Sequence, residues 1–150
     1  MAREPGAENQ SVLRDLARFR YALRRFLRFS ETAARACGVT PQQHQLMLGV
    51  AGFTGRGWAT ISELAEFLQE RNHSVVGLVK RAEQSGLVQS AENDADRRVI
   101  IVSLTRQGKA ILNKLTELHL DEARRMQGLI LDIRRIPGPP AQVSEEPGSR

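Results

Sequence analysis

ISELAEFLQERNHSVVGLVKRAEQSGLVQSAENDADRRVIIVSL, residues 61–104, is the stretch that decides the fold. Just ahead of it, Thr60 and Glu63 stand at capping-box spacing, so each side chain can satisfy the other's backbone amide. Ile61, Leu64, Ala65 and Leu68 then recur at helical spacing and form one apolar stripe. A short polar break follows at Glu70, Arg71 and Asn72, with Asn72 as a suitable N-cap for a second helix over 73–84. Val75, Leu78, Val79 and Ala82 give that helix its buried face, and Gly86 suits the C′ position that ends it. Residues 87–91 predict a strand, and 98–104, rich in Val and Ile, predict its partner across a polar loop. Helix, tight turn, helix and hairpin in this order make a winged helix-turn-helix, whose second helix enters a DNA major groove.

The face of the second helix left outside the core carries His73, Ser74, Val76, Gly77, Lys80 and Arg81, with Asn72 at its start. The N-terminal turn of such a helix meets base edges, so Asn72, His73 and Ser74 are candidate hydrogen-bonding contacts and Val76 a candidate contact to a thymine methyl. Lys80 and Arg81 suit phosphates, which fix register without reading sequence. Gly77 costs a helix about 1 kcal/mol relative to Ala, so close approach of a DNA backbone or another helix is expected there. Arg97 and Arg98 end the hairpin loop and suit a narrow minor groove. Asp94 and Asp96 would repel phosphate and are expected to hold the loop or an arginine. Residues 56–109 hold eight cationic against seven anionic side chains, a net charge of +1. The case for DNA therefore rests on where the cations sit.

The run Asn72-His73-Ser74-Val75-Val76-Gly77-Leu78-Val79, then Gly86-Leu87-Val88, then Asp94-x-Asp96-Arg97-Arg98, then Ser103-Leu104-Thr105-x-x-Gly108 resembles the MarR family of dimeric bacterial transcription regulators. The resemblance covers residues 14–136, and the wing and the Leu-Thr-x-x-Gly junction are its most specific parts. Ala82 departs from it, since the family usually carries Leu there, which implies altered local helix packing. The resemblance implies an intertwined homodimer on a double-stranded operator. It also implies a pocket between dimer helices and winged helix for a small aromatic or phenolic anion. His44, Trp58 and Tyr21 are the candidate ligand contacts.

Around this unit the chain is organised to pair two copies. Residues 1–10 are polar and expected to be disordered. A long helix is predicted over 11–36, with Leu16, Phe19, Leu23, Phe26, Leu27, Ser30, Ala34 and Cys37 on one stripe and Arg14, Arg18, Arg25, Arg28 and Arg35 opposite. Thr40, Pro41 and Gln43 open a second helix with an N-cap, a proline in the first turn and a capping-box glutamine. The glycine-rich stretch 49–57 is expected to end it as a loop, and Trp58-Ala59-Thr60 to form a short third strand. Thr105 caps a last helical segment with Ile111, Leu115, Leu118, Ala123, Met126, Ile130 and Ile133 as its stripe, and a kink is expected near His119–Asp121. Residues 11–57 and 105–136 are thus read as dimerisation helices flanking the DNA-binding unit 58–104. Residues 137–150 are read as a disordered tail. The expected class is mainly α with a small β-hairpin wing.

The chain of 150 residues carries a formal charge of +5 and one cysteine. No run of about 18 apolar residues predicts a membrane span, and the start shows no secretory h-region, so a cytoplasmic protein is expected. His44, His73 and His119 lack metal-ligand spacing, so neither metal nor cofactor is expected. Nucleophile elbow, phosphate loop, zinc-protease and dinucleotide motifs are missing from the sequence, which argues against an enzyme. Two alternatives stay open: redox sensing through Cys37, with Arg35 as the nearby cation, and a winged helix used only for protein contacts.

Overall fold

The computed structural model describes residues 6–128. The chain divides into two compact units, one spanning Phe26–Arg124 and a smaller one to which residues 1–25 and 125–150 belong. The expectations for residues 1–5, for the apolar positions Ile130 and Ile133, and for the tail lie outside the described residues.

Helix α1 (Ala7–Ala36) starts four residues before the expected Ser11. The amides of Asn9 and Gln10 both bond the Gly6 carbonyl, and the segment between holds no breaker. The single expected stripe divides in two. Phe19, Phe26, Ser30, Ala34 and Cys37 are at least half-buried, joined by Ala22, Phe29 and Ala33. Leu16, Leu23 and Leu27 are exposed, and with Leu13 they form an uncovered apolar row at alternating helical spacing. Within the smaller unit, Ala22 and Met126 are buried.

Helix α2 (Pro41–Leu48) carries the expected capping box, Gln43 N–H to Thr40 Oγ1 at 3.1 Å and Thr40 N–H to Gln43 Oε1 at 3.0 Å. The glycine-rich stretch does not end it at once. The chain runs on as a π-helical turn, Gly49–Phe53, before Gly55 and Gly57 take positive φ of 77° and 83°. Gly49 serves packing here: a Cβ on it would stand 2.6 Å from Phe67 Cδ1.

Strand β1 (Trp58–Thr60) leads into α3 (Ile61–Leu68), α4 (Asn72–Gln84), β2 (Val88–Glu92) and β3 (Ile100–Leu104). The sheet is antiparallel in the order β1-β3-β2, with Val102 opposite both Ala59 and Ser90. Strand β3 begins two residues later than expected, because the Arg98 amide bonds the Asp96 carboxylate and the Val99 amide bonds the Asp96 carbonyl. The turn between α3 and α4 is made by Gln69 in the left-handed region at φ 53°. Asn72 does not cap α4. Arg71 holds that position without a side-chain bond, and the Asn72 side chain instead donates from Nδ2 to Ser62 Oγ at 3.4 Å, tying the starts of α3 and α4 together.

Gly86, at φ 74°, ends α4 as expected: its amide bonds the Glu83 carbonyl and the Leu87 amide bonds the Ala82 carbonyl, a Schellman motif. Thr105 then stitches this corner to α5 (Arg106–Arg125). Its hydroxyl donates to the Gly86 carbonyl and accepts from the Gly108 amide at 3.0 Å. A Cβ at Gly108 would collide with the Leu87 carbonyl, so only glycine fits. Helix α5 runs unbroken through His119–Asp121, and its first interruption is at Met126. The slip in the apolar pattern is a change of face: Leu112 and Leu115 are buried, whereas Leu118 and Leu120 are exposed. One core joins α2, α3, α4, the sheet and the start of α5, with Leu46, Met47, Leu64, Val75, Val102 and Leu115 among its side chains.

Candidate nucleic-acid interface

The buried face of α4 is the one the sequence predicts, Val75, Leu78, Val79 and Ala82. Packing that face turns the other outward. Asn72, His73, Ser74, Val76, Lys80 and Arg81 are all exposed, and Gly77 is half-covered. Val76, at 37 % exposure, is an apolar side chain that the protein itself leaves uncovered. Nothing packs on Gly77 except the Arg81 guanidinium, which would lie 3.3 Å from an added Cβ. The sequence asked for a reason for this glycine, and the reason is not intramolecular packing.

A cleft of about 470 Å³ opens between α3, α4 and the wing, and Asn72, His73, Val76 and Arg98 all line it. Thr60 and Ser62, at the start of α3, also line it. Sequence reasoning passed over both, although their hydroxyls sit where the first helix would cross a DNA backbone. Lys80 lines a separate groove with Val76, Glu83 and Ser90. Arg81 and Ser74 both line another groove, shared with Gln42 and Glu70, and so stand apart from the cleft that gathers Asn72, His73, Val76 and Arg98.

In the wing, Asp96 grips Arg98 through two bonds, Nε to Oδ1 at 3.1 Å and Nη2 to Oδ2 at 3.2 Å. Hydrogen bonds from the Arg98 side chain, and then from its backbone, hold the Asp96 carboxyl below its usual pKa. This is the arginine-holding role expected of the wing acids. Asn93 accepts from the Ala95 amide at 2.9 Å and shapes the same loop. Arg97 is exposed beside Arg98.

The other candidate residues fall in different places. His44 is buried and lines a cavity of about 380 Å³ with Phe26, Ser30, Leu48, His119 and Leu120. Trp58 is not among the residues lining it. The Arg56 guanidinium lies 3.9 Å over the Trp58 ring and also pairs with Glu63. Tyr21 is exposed in the smaller unit, with Arg25 5.8 Å above its ring. Cys37 is half-buried against the core, and Arg35, the cation the sequence offers it, pairs with Glu31 at 4.0 Å.

Ser30 and His119 were not legible as partners of His44 from the residues alone. His119 Nε2 lies 2.9 Å from Ser30 Oγ, which lies 3.5 Å from His44 Nδ1, and the two imidazole centroids are 4.8 Å apart. No local signal links residues this distant in the chain. Among the described residues, no group of three or more His, Cys, Asp and Glu could hold a metal, and no helix is long and apolar enough to cross a membrane.

Comparison with known proteins gives this geometry a setting. Residues 38–99 match the model of the MarR family. A curated relative, the uncharacterized HTH-type transcriptional regulator YfiV of Bacillus subtilis, is 33 % identical over 88 residues, covering 58 % of this chain and 52 % of the relative. The chain spans about half the length of the curated relatives it matches. The crystal structure of AbsC, a MarR family transcriptional regulator from Streptomyces coelicolor, superposes with a TM-score of 0.67 at 20 % identity, over 88 % of this chain and 84 % of that one. A mutant MarR from E. coli complexed with operator DNA superposes at 0.60 and 17 % identity, over 79 % and 90 %. With the family match centred on the helix-turn-helix and wing, and the same fold carrying the rest, the chain is similar to the MarR family over residues 38–99 and shares its fold.

Proposed function

We propose that this protein is a sequence-specific double-stranded DNA-binding transcription regulator, acting as a repressor on a pseudo-palindromic operator. The observation that carries this reading is the cleft where the exposed first turn of α4 and the Arg98 wing converge. Asn72, His73 and Ser74 supply hydrogen bonds for base edges, Val76 an apolar contact, Lys80 a phosphate contact, and Arg97 and Arg98 guanidinium groups for the minor groove. The solved E. coli relative with operator DNA has the same fold, which supports this assignment of the surface.

The working unit of this reading is a homodimer. Leu13, Leu16, Leu23 and Leu27 on α1, and Leu118 and Leu120 on α5, are apolar side chains the single chain leaves exposed. A second copy would bury them, and two-fold symmetry would place two α4 helices on successive major-groove faces. The effector of this reading is a small aromatic molecule in the His44 cavity. Among the described residues no lysine or arginine lines that cavity, so they offer an anion no permanent counter-charge there.

One observation favours the protein-contact alternative: the unit's net charge is only +1 and Asp96 neutralises Arg98. Salt decides between the two. A duplex enriched from a random pool should lose about 10³–10⁵ in affinity between 50 and 200 mM salt if six to ten phosphates are contacted. A failure to enrich any duplex, or a salt-insensitive affinity, would favour protein contacts.

A further inference from the structure

The direction of the His44–Ser30–His119 chain can be assigned from its end. The Leu115 carbonyl only accepts, and it lies 2.6 Å from His119 Nδ1, so Nδ1 carries a hydrogen. In the neutral ring Nε2 is then an acceptor, and the Ser30 hydroxyl, 2.9 Å away, donates to it. The Ser30 oxygen is left to accept from His44 Nδ1 at 3.5 Å. Thus α2 donates to α1, α1 donates to α5, and α5 closes the chain on its own backbone. His119 is fixed from the side as well, edge-on to Phe26 and Phe29 with centroids 5.7 and 5.4 Å away.

Such a chain takes up an added proton only by reversing, and the cation it then holds lies among uncharged walls. With Nε2 protonated, His119 donates to Ser30, the hydroxyl hydrogen turns to His44 Nδ1, and His44 must shift its own hydrogen from Nδ1 to Nε2. A second proton would set two cations 4.8 Å apart, centroid to centroid. The walls facing the pair are Phe26, Leu27 and Ser30 from α1, Gln45 and Leu48 from α2, and Thr116 and Leu120 from α5. None is charged. The nearby buried acid of α5, Glu122, already has a partner.

We propose that this relay is a single-proton switch: uptake of one proton by the His44–His119 pair favours a state in which α2 parts from α1 and α5. The same helix holds α4 by its other side, through Gln43 Nε2 to Ser85 Oγ at 3.3 Å, so the movement reaches the end of α4. Burial, and then the neighbouring His119, hold His44 below its ordinary value of 6.5. The sign follows. The closed packing is fully stabilised above pH 6.5, and loses that contribution as pH falls toward and through the lower folded value. The relay stands on the cavity's geometry; only its effect on DNA rests on the proposed function.

The test uses the full chain, with the His44 imidazole followed by NMR. Without DNA, the His44 midpoint should lie below the ordinary 6.5 and should rise in His119→Gln. His119→Phe, which keeps a ring between Phe26 and Phe29, should raise it likewise and serves if the glutamine variant does not fold. A His44 midpoint at or above 6.5, or one unmoved by both variants, would overturn the switch. With an enriched duplex, wild type should weaken more steeply between pH 7.5 and 5.5 than His44→Gln/His119→Gln, because the folded His44 holds its proton less tightly than the open state does. His73 is common to both proteins and cancels. Equal weakening would overturn the transmission to α4. Absence of duplex binding at both pH values would instead sink the DNA-binding reading, while the titration still decides the relay.

Discussion

Gly108 and Gly77 are both helical glycines with opposite justifications. At Gly108 the Leu87 carbonyl occupies the place a Cβ would take, so the residue is there for the fold. Gly108→Ala should cost about 1–3 kcal/mol through overpacking, read as a lower urea midpoint at unchanged slope. At Gly77 only the mobile Arg81 side chain is near. Gly77→Ala should therefore leave the free protein as stable as before, or up to about 1 kcal/mol more stable, while weakening its hold on DNA. Equal DNA affinity would show that no backbone approaches there. Along the same helix, His73→Ala or Ser74→Ala should relax sequence preference. Lys80→Ala should weaken all duplexes alike and reduce the salt slope by about 1. Identical behaviour of the two classes would refute the division into reading and positioning contacts.

The elements the sequence specified well are those whose determinants are local. The boxes at Thr40–Gln43 and Thr60–Glu63 and the glycine after α4 each act within a few residues and formed where expected, and the Val- and Ile-rich strand formed with its start shifted by two residues. What was hidden depends on distant neighbours. Gly49 continues a helix because Phe67 presses against it, and Asn72 forgoes its cap for Ser62. His119 acquires a role only when α1 and α2 pack beside it. The α3 cap also carries a pH dependence. The Thr60 amide, then Arg56, hold the Glu63 carboxyl below its usual 4.5, so its contribution is present above that value and lost as pH falls through the lower folded one. Glu63→Gln should flatten acid unfolding in that window, as followed by circular dichroism. In the wing, Arg97→Ala/Arg98→Ala should reduce affinity for the enriched duplex. Unchanged binding would remove the wing from the interface.

At the scale of the whole molecule, the sequence shows two long amphipathic helices but not which side faces in. Leu16 and Leu23 belong to the predicted stripe, yet both are exposed in the folded chain. We assign that surplus to pairing with a second copy. Leu16→Glu/Leu23→Glu should give a monomer by sedimentation and lose operator binding with it, because one α4 reads only one half-site. The most direct test of the central claim, that α4 and the wing read DNA together and in duplicate, is selection of bound duplexes from a random pool followed by footprinting of the winner. The account predicts two half-sites with centres about 34–36 Å apart, protected in the major groove at each centre, with the preference blurred in His73→Ala. A single unpaired site, or an enriched sequence indifferent to His73 and Ser74, would contradict it.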